Sequence, residues 1–272
     1  MGWVNASDGH QLALSPAYDW ASSWEYWDTG PGHRLMQGYW WISIVAGAVY
    51  IPAMLLADRL IAKPLPVRWA LVSWNGLLCI FSCLGAVRMA PELLHMLGQH
   101  GFHASICDNS FGFQAVTGFW TEMFGWSKLV ELGDTLFLVA KKRRLTTLHL
   151  WHHASVFVFT WHACRDLVAA GRWFITMNFT VHGLMYGYFL LQGLGRVKLP
   201  AFFPVFVTSL QILQMLIGVS ISGRVGWLMW QGVACDATWE NLRCSLLIYT
   251  SYLLLFAHFF HRAYLRPKAK TQ

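Results

Sequence analysis

The sequence predicts an all-α integral membrane protein with seven transmembrane helices, and three observations carry that expectation. Of its 272 residues, 56% are hydrophobic and only 12% charged, with a mean hydropathy of +0.41, whereas a soluble domain carries roughly a quarter charged residues. Apolar stretches of about the 20 residues that a helix needs to cross a bilayer begin near Tyr39, Trp69, Phe113, Leu148, Trp173, Ala201 and Ser245. Lys and Arg collect in alternate loops, the pattern that orients spans in a membrane.

No polar linker separates these stretches, so residues 1–272 are expected to form one domain. It divides into a lumenal segment over 1–37, a seven-helix core over 38–262 and a cytosolic tail over 263–272. The first stretch lacks a charged stub and small-residue cleavage site before it and is read as a retained span. One set of loops carries Arg59, Lys63 and Arg68, then Lys141, Lys142, Arg143 and Arg144, then Arg196 and Lys198, and the tail adds Arg262, Arg266, Lys268 and Lys270. The opposite loops carry only Arg34, Arg88, Arg165, Arg172, Arg224 and Arg243. The richer side is expected in the cytosol, which puts the N-terminus in a lumen and the C-terminus in the cytosol. The net charge of +7 therefore gathers at one membrane face, suited to anionic lipid or a phosphorylated substrate, and nucleic acid is not an expected partner.

The first two spans carry little chemistry beyond Cys79 and Cys83, which read as small buried hydrophobes, as do Cys164 and Cys244. In the third span Lys128, Glu131, Asp134 and Thr135 recur at i, i+3, i+6 and i+7. Each unpaired charge near a span centre costs on the order of 3 kcal/mol, so these must turn inward and pair, Lys128 with Glu131 first. A salt-bridge ladder at the interface is the alternative. The fourth span opens with His149, His152 and His153, three imidazoles on one helical face. Burying such groups without partners costs about 2–7 kcal/mol each, so they mark either a reaction site or a wetted helix end. In the fifth span Asn178, His182, Met185 and Tyr186 form one stripe, and in the sixth Thr208, Gln211 and Gln214 form another. Singly, such amides often only join helices; four aligned stripes suggest a polar chamber. His162 stands alone in its sequence neighbourhood, and His258 and His261 suit a helix C-terminus.

Three local signals concern the compartment. Cys107 and Cys235 fall in loops assigned to the lumen, where a disulfide would tie the loops together; free thiols are the alternative. Asn5-Ala-Ser7 matches a glycosylation acceptor, whereas Asn178-Phe-Thr180 matches it inside a span. Lys268 and Lys270 resemble a dilysine retrieval signal to the endoplasmic reticulum.

Four segments, in order and spacing, resemble the signature motifs of the fatty acid elongases: Lys128-Leu-Val-Glu131-Leu-Gly-Asp134-Thr135, His149-Leu-Trp-His152-His153, Asn178-Phe-Thr-Val181-His182-Gly-Leu-Met185-Tyr186-Gly-Tyr188 and Thr208-Ser-Leu-Gln211-Ile-Leu-Gln214. The resemblance covers about residues 35–265, and Phe189 departs from it where many members have a second Tyr. Residues 80–89, 171–186 and 255–270 look like the branch acting on saturated and monounsaturated chains.

The resemblance implies a very-long-chain 3-oxoacyl-CoA synthase of the endoplasmic reticulum membrane that condenses acyl-CoA with malonyl-CoA, with no bound cofactor or metal. His152 would take the acyl group as an acyl-imidazole, with His149 and His153 as the next candidates. His182, Asn178 and Gln211 would stabilise the developing oxyanion. Asp134 and Glu131 would orient ring N–H groups, and Lys128 would balance their charge. Lys141, Lys142, Arg143, Arg144, Arg196 and Lys198 would grip the CoA phosphates, Tyr186 and Gln214 would contact substrate, and an apolar tunnel would take the tail toward the lumen. Expected partners are the membrane lipids and the ketoacyl-CoA reductase, dehydratase and enoyl reductase of the cycle, with a homo- or hetero-oligomer left open. A di-iron desaturase or hydroxylase is one alternative, although its histidines would form three clusters. A seven-helix transporter or receptor is the other, and it leaves the ordered motifs without a reason.

Overall fold

A computed structural model describes residues 15–26, 28–195 and 199–265. Among these residues the regular structure is helical, with no strand: α1 (Gly30–Tyr39), α2 (Trp41–Leu60), α3 (Arg68–Cys107), α4 (Ala115–Glu131), α5 (Gly133–Ala140), α6 (Thr147–Asp166), α7 (Gly171–Leu194), α8 (Phe202–Trp230) and α9 (Trp239–Phe260). Asn5, Arg196, Lys198, Lys268 and Lys270 lie outside the described residues.

Four helical stretches are long and apolar enough to cross a membrane: α2, α3, α8 and Trp239–Leu265. Of the helices bearing the polar stripes, α4 to α7 do not meet that standard of length and composition, whereas α8 does. Three boundaries differ from the sequence expectation. A helix, α1, precedes the first span, starting with a proline in its first turn, where a missing N–H costs nothing. The third stretch is two helices that break at Leu132. The last helix starts at Trp239, not near Ser245, because the Thr238 hydroxyl accepts from the Asn241 N–H and caps it.

Successive long helices run antiparallel between two ends. At the histidine end, Leu65 N–H donates to Ala140 C=O, Lys142 meets Asp58, and Arg68 donates to the carbonyls of Gly193 and Leu194, the last turn of α7. At the disulfide end, Cys107 is bonded to Cys235, Asp236 N–H donates to Cys107 C=O, and Ala169 N–H donates to Asp236 C=O. The most extensive helix pairings are α3 with α7 and α8 with α9.

The disulfide end is pinned by buried charge. Arg172 has no exposure, its Nε reaches both oxygens of Glu92 at 3.1 and 2.8 Å, and its Nη1 donates to the carbonyls of Ser105 and Asp108 at 3.1 and 2.9 Å. Burial pushes the Asp108 carboxyl up, but donors from Ser110 and the Arg172 charge hold it below the usual range. Nearby, Glu25 accepts from Arg88 at 2.7 and 2.6 Å and from Trp120 at 3.0 Å, so it too sits below its ordinary value despite burial.

Candidate active site

The polar stripes of α4, α6 and α7 meet inside the bundle near the histidine end. On α4, Lys128 is only 1% exposed, and a lysine buried this deeply costs several kcal/mol unless paired. Its ammonium donates to Glu131 Oε1 at 2.6 Å and to Asn178 Oδ1 at 2.8 Å, and lies 4.3 Å from the Phe124 ring centre. Ser127 donates to the same Glu131 oxygen at 3.1 Å. The other oxygen, Oε2, is buried without a hydrogen bond, and so is His182 Nδ1, which stands 3.6 Å away. That separation is too long for a hydrogen bond, so two facing polar groups are left incomplete.

The next carboxylate follows just beyond Leu132, at the start of α5. A Cβ on Gly133 would fall 2.8 Å from the Trp74 ring, so only glycine lets α3 come this close. Trp74 Nε1 then donates to Asp134 Oδ1 at 2.6 Å and Tyr186 hydroxyl to Oδ2 at 2.7 Å, while His153 Nε2 remains 3.9 Å off. Asp134, expected to orient a ring N–H of the histidine cluster, is thus held by Trp74 and Tyr186, and Tyr186 spends its hydroxyl on that carboxylate. His149 is oriented instead by Thr135, whose hydroxyl lies 2.7 Å from Nε2 and is also bonded to Tyr50.

The three histidines of α6 pack against one another, with ring centres 4.3 Å apart for His149 and His153 and 5.2 Å for His152 and His153, yet they face different surroundings. His153 is buried with Nδ1 unpartnered. His152 turns toward α9, its ring 4.9 Å from that of Tyr252, whose hydroxyl is fixed by Ser155 at 2.8 Å and by the His152 carbonyl at 3.3 Å.

Beside His152 opens a predominantly apolar cavity. His152, Asn178, Gln214, Thr121 and Thr160 are among its polar lining, and Val156, Phe159, Phe174, Leu167 and Gly171 among its apolar lining. His152 is the one member of the histidine cluster on this wall. Asn178 joins the two compartments: its carbonyl oxygen accepts a hydrogen bond from the Lys128 ammonium, and the residue also lines the cavity.

Other expected site residues lie apart. Gln211 contacts Met185 Sδ at 3.5 Å, and Thr208 bonds the Pro204 carbonyl at 2.9 Å. Lys142 is engaged by Asp58, at 2.8 Å to the carboxylate and also to the carbonyl, so its ammonium ties a loop; Arg143 and Arg144 are exposed beside it. His162 is not isolated: Asn241 and Arg165 meet its two ring nitrogens at 3.0 and 3.1 Å. Sequence reasoning missed Trp74, Tyr50, Ser155 and Tyr252, lone polar aromatics or hydroxyls without a periodic signal. Among the described residues, the one gathering of three metal-type donors is His103 with Cys107 and Cys235, both sulfurs of which are in the disulfide.

The model of the ELO family, described as GNS1/SUR4, matches residues 35–272. The chain is 36% identical over 270 residues to very long chain fatty acid elongase 3 of Mus musculus, covering 98% of this chain and 97% of that one. It is 39% identical over 239 residues to very long chain fatty acid elongase 6 of Gallus gallus, covering 87% and 89%, and 37% identical over 238 residues to the elongase 6 of Homo sapiens, covering 87% and 89%.

Proposed function

The chain belongs to the ELO (GNS1/SUR4) family, and from that premise we propose that it is the condensing enzyme of a fatty acid elongation cycle, an acyltransferase joining acyl-CoA to malonyl-CoA. One observation carries the mechanism: His152, alone among the clustered histidines, lines the apolar cavity. Its ring nitrogen attacks the acyl thioester, a C–N bond forms as the C–S bond breaks, and CoA leaves. Malonyl-CoA then loses CO2, and the resulting enolate carbon attacks the acyl-imidazole and frees His152. The product is a 3-oxoacyl-CoA two carbons longer. Asn178 and His182 supply donors to the enolate oxygen, and Gln214 lines the same cavity as Asn178; Glu131 and Lys128 hold that pair in place. The bond missing between Glu131 and His182 closes when substrate completes the site, as happens where apo geometry is loose.

It is a multi-pass membrane protein, and we assign seven spans, with α4 and α5 forming one. The supports are the antiparallel run of every long helix between the same two ends and the inward pairing of the polar residues in α4 to α7. The histidine end, with Lys141, Arg143 and Arg144, faces the cytosol and the CoA phosphates, with Arg196 and Lys198 belonging to the same face by sequence. The disulfide end faces the lumen of the endoplasmic reticulum, where Asn5 would be glycosylated. The acceptor class is a saturated or monounsaturated chain, and the reductases and dehydratase of the cycle are its expected neighbours.

Purified protein given labelled malonyl-CoA and acyl-CoAs of graded length should release CO2 and form 3-oxoacyl-CoA without iron or oxygen. Turnover that requires both iron and O2 would replace this reading with the di-iron one.

A further inference from the structure

The last turn of α3 carries a set of soft donors that the chemistry above does not use. His103 and Cys107 both follow the break in α3 at Gly101 (φ 79°, ψ 177°) and stand four residues apart, so imidazole and sulfur share one helical face. Cys235, from the segment between α8 and α9, joins them, and a His103 ring nitrogen lies within 4.8 Å of both sulfurs. His103 is exposed and Cys235 half-buried, so the group is open to solvent on one side. The disulfide is not the only tie that brings these segments together. Asp236 N–H donates to Cys107 C=O at 2.9 Å, Ala169 N–H donates to Asp236 C=O at 2.9 Å, and Asn109 N–H donates to Asp236 Oδ2 at 3.1 Å. Behind them the buried Arg172 holds the carbonyls of Ser105 and Asp108 and pairs with Glu92. With those bonds in place, breaking the disulfide leaves two thiols facing each other beside an imidazole.

We propose that the reduced form of this end is a metal site, in which Cys107, Cys235 and His103 hold one d10 cation of the zinc class. Two thiolates and an imidazole are the donors that such borderline and soft cations select. Around a tetrahedral zinc, with Zn–S near 2.3 Å, two sulfurs stand roughly 3.8 Å apart, a spacing that side-chain rotation supplies once the sulfur–sulfur bond is gone. Three protein donors leave the fourth position to water. The carboxylates nearby are already engaged, Asp108 by the Ser110 N–H and Asp236 by the Asn109 N–H. A dithiol reductant opens the site: its two sulfurs are oxidised to a disulfide, and two electrons and two protons pass to Cys107 and Cys235. The cation then takes both sulfurs as thiolates and the neutral ring of His103, releasing two protons. Metal and disulfide therefore exclude each other. Either one closes the same loop, across a sequence separation of 128 residues.

The test uses the full chain in detergent, reduced anaerobically with a phosphine, freed of reductant and titrated with Co2+ as a coloured stand-in for zinc. One equivalent should bind with sulfur-to-cobalt charge-transfer absorption that Zn2+ displaces, and the oxidised protein should show none. Cys235→Ser should abolish that absorption, and His103→Ala should weaken Co2+ binding by at least the roughly tenfold that loss of even an outer partner costs. Charge-transfer absorption that persists in Cys235→Ser, or Co2+ affinity unchanged in His103→Ala, would overturn the site. A second measurement needs no variant: maleimide labelling of the reduced wild type with and without Zn2+, read by peptide mapping. Zinc should protect Cys107 and Cys235 and a chelator should restore their labelling, while Cys79, Cys83, Cys164 and Cys244, free thiols in this structure, label alike in both conditions. Equal labelling of Cys107 and Cys235 with and without zinc would contradict the proposal.

Discussion

Lys128–Glu131 and Arg172–Glu92 are both buried cation–carboxylate pairs, made from similar charges and finished differently. Arg172 reaches both oxygens of Glu92 and two backbone carbonyls, at 2.8 to 3.1 Å. Lys128 satisfies one oxygen of Glu131, and the second is left facing an equally unpartnered His182 nitrogen at 3.6 Å. A completed network can only hold; an incomplete one has a place for something else. Unsatisfied buried polar atoms are rare in native proteins, and at Glu131 and His182 two of them face each other.

The largest expected difference between the two regions is in stability. Arg172→Ala leaves Glu92 buried and uncompensated, a loss of about 3–5 kcal/mol, comparable to much of a domain's total stability. Thermal unfolding in detergent should show a collapse in Tm, while any folded fraction keeps its kcat. Glu131→Gln reverses the balance. The amide oxygen still accepts from Lys128, so Tm should move little, but kcat should fall by on the order of a hundredfold as positioning of His182 is lost. Equal Tm losses in the two variants would erase the distinction.

These two regions were also unequally legible in the sequence. Lys128, Glu131, Asp134 and His182 announced themselves by helical spacing in apolar surroundings, where each charge must find an inward partner. Arg172 reads as a loop charge, and nothing in the sequence ties it to Glu92, eighty residues away. Trp74 and Tyr252 carry no periodicity because each is the one residue of its helix that reaches a site side chain in this way. The break at Leu132 has no local signal either: the apolar run continues through it, and Leu132 keeps right-handed helical angles.

A smaller contrast lies within the basic loop. Lys142 is paired with Asp58, whereas Arg143 is exposed. Lys142→Met should cost up to about 1 kcal/mol of stability, the scale of a half-exposed ion pair, with little change in KM. Arg143→Gln should raise KM for acyl-CoA and malonyl-CoA severalfold without lowering kcat, and the effect should shrink as salt rises. The smallest effect is expected at Asp108. Its carboxyl is depressed in the folded protein, so its contribution is present above its unfolded pKa and is lost as pH falls through the lower folded value. In thermal melts over that acidic window, Asp108→Asn should flatten the decline in Tm that the wild type shows.

The acyl-imidazole on His152 is tested most directly by mass spectrometry of protein incubated with palmitoyl-CoA and no malonyl-CoA. The covalent route predicts one equivalent of CoA released and a palmitoyl mass on the peptide containing His152, lost in His152→Ala and discharged on adding malonyl-CoA. No adduct, with CoA appearing only once malonyl-CoA is present, would contradict it.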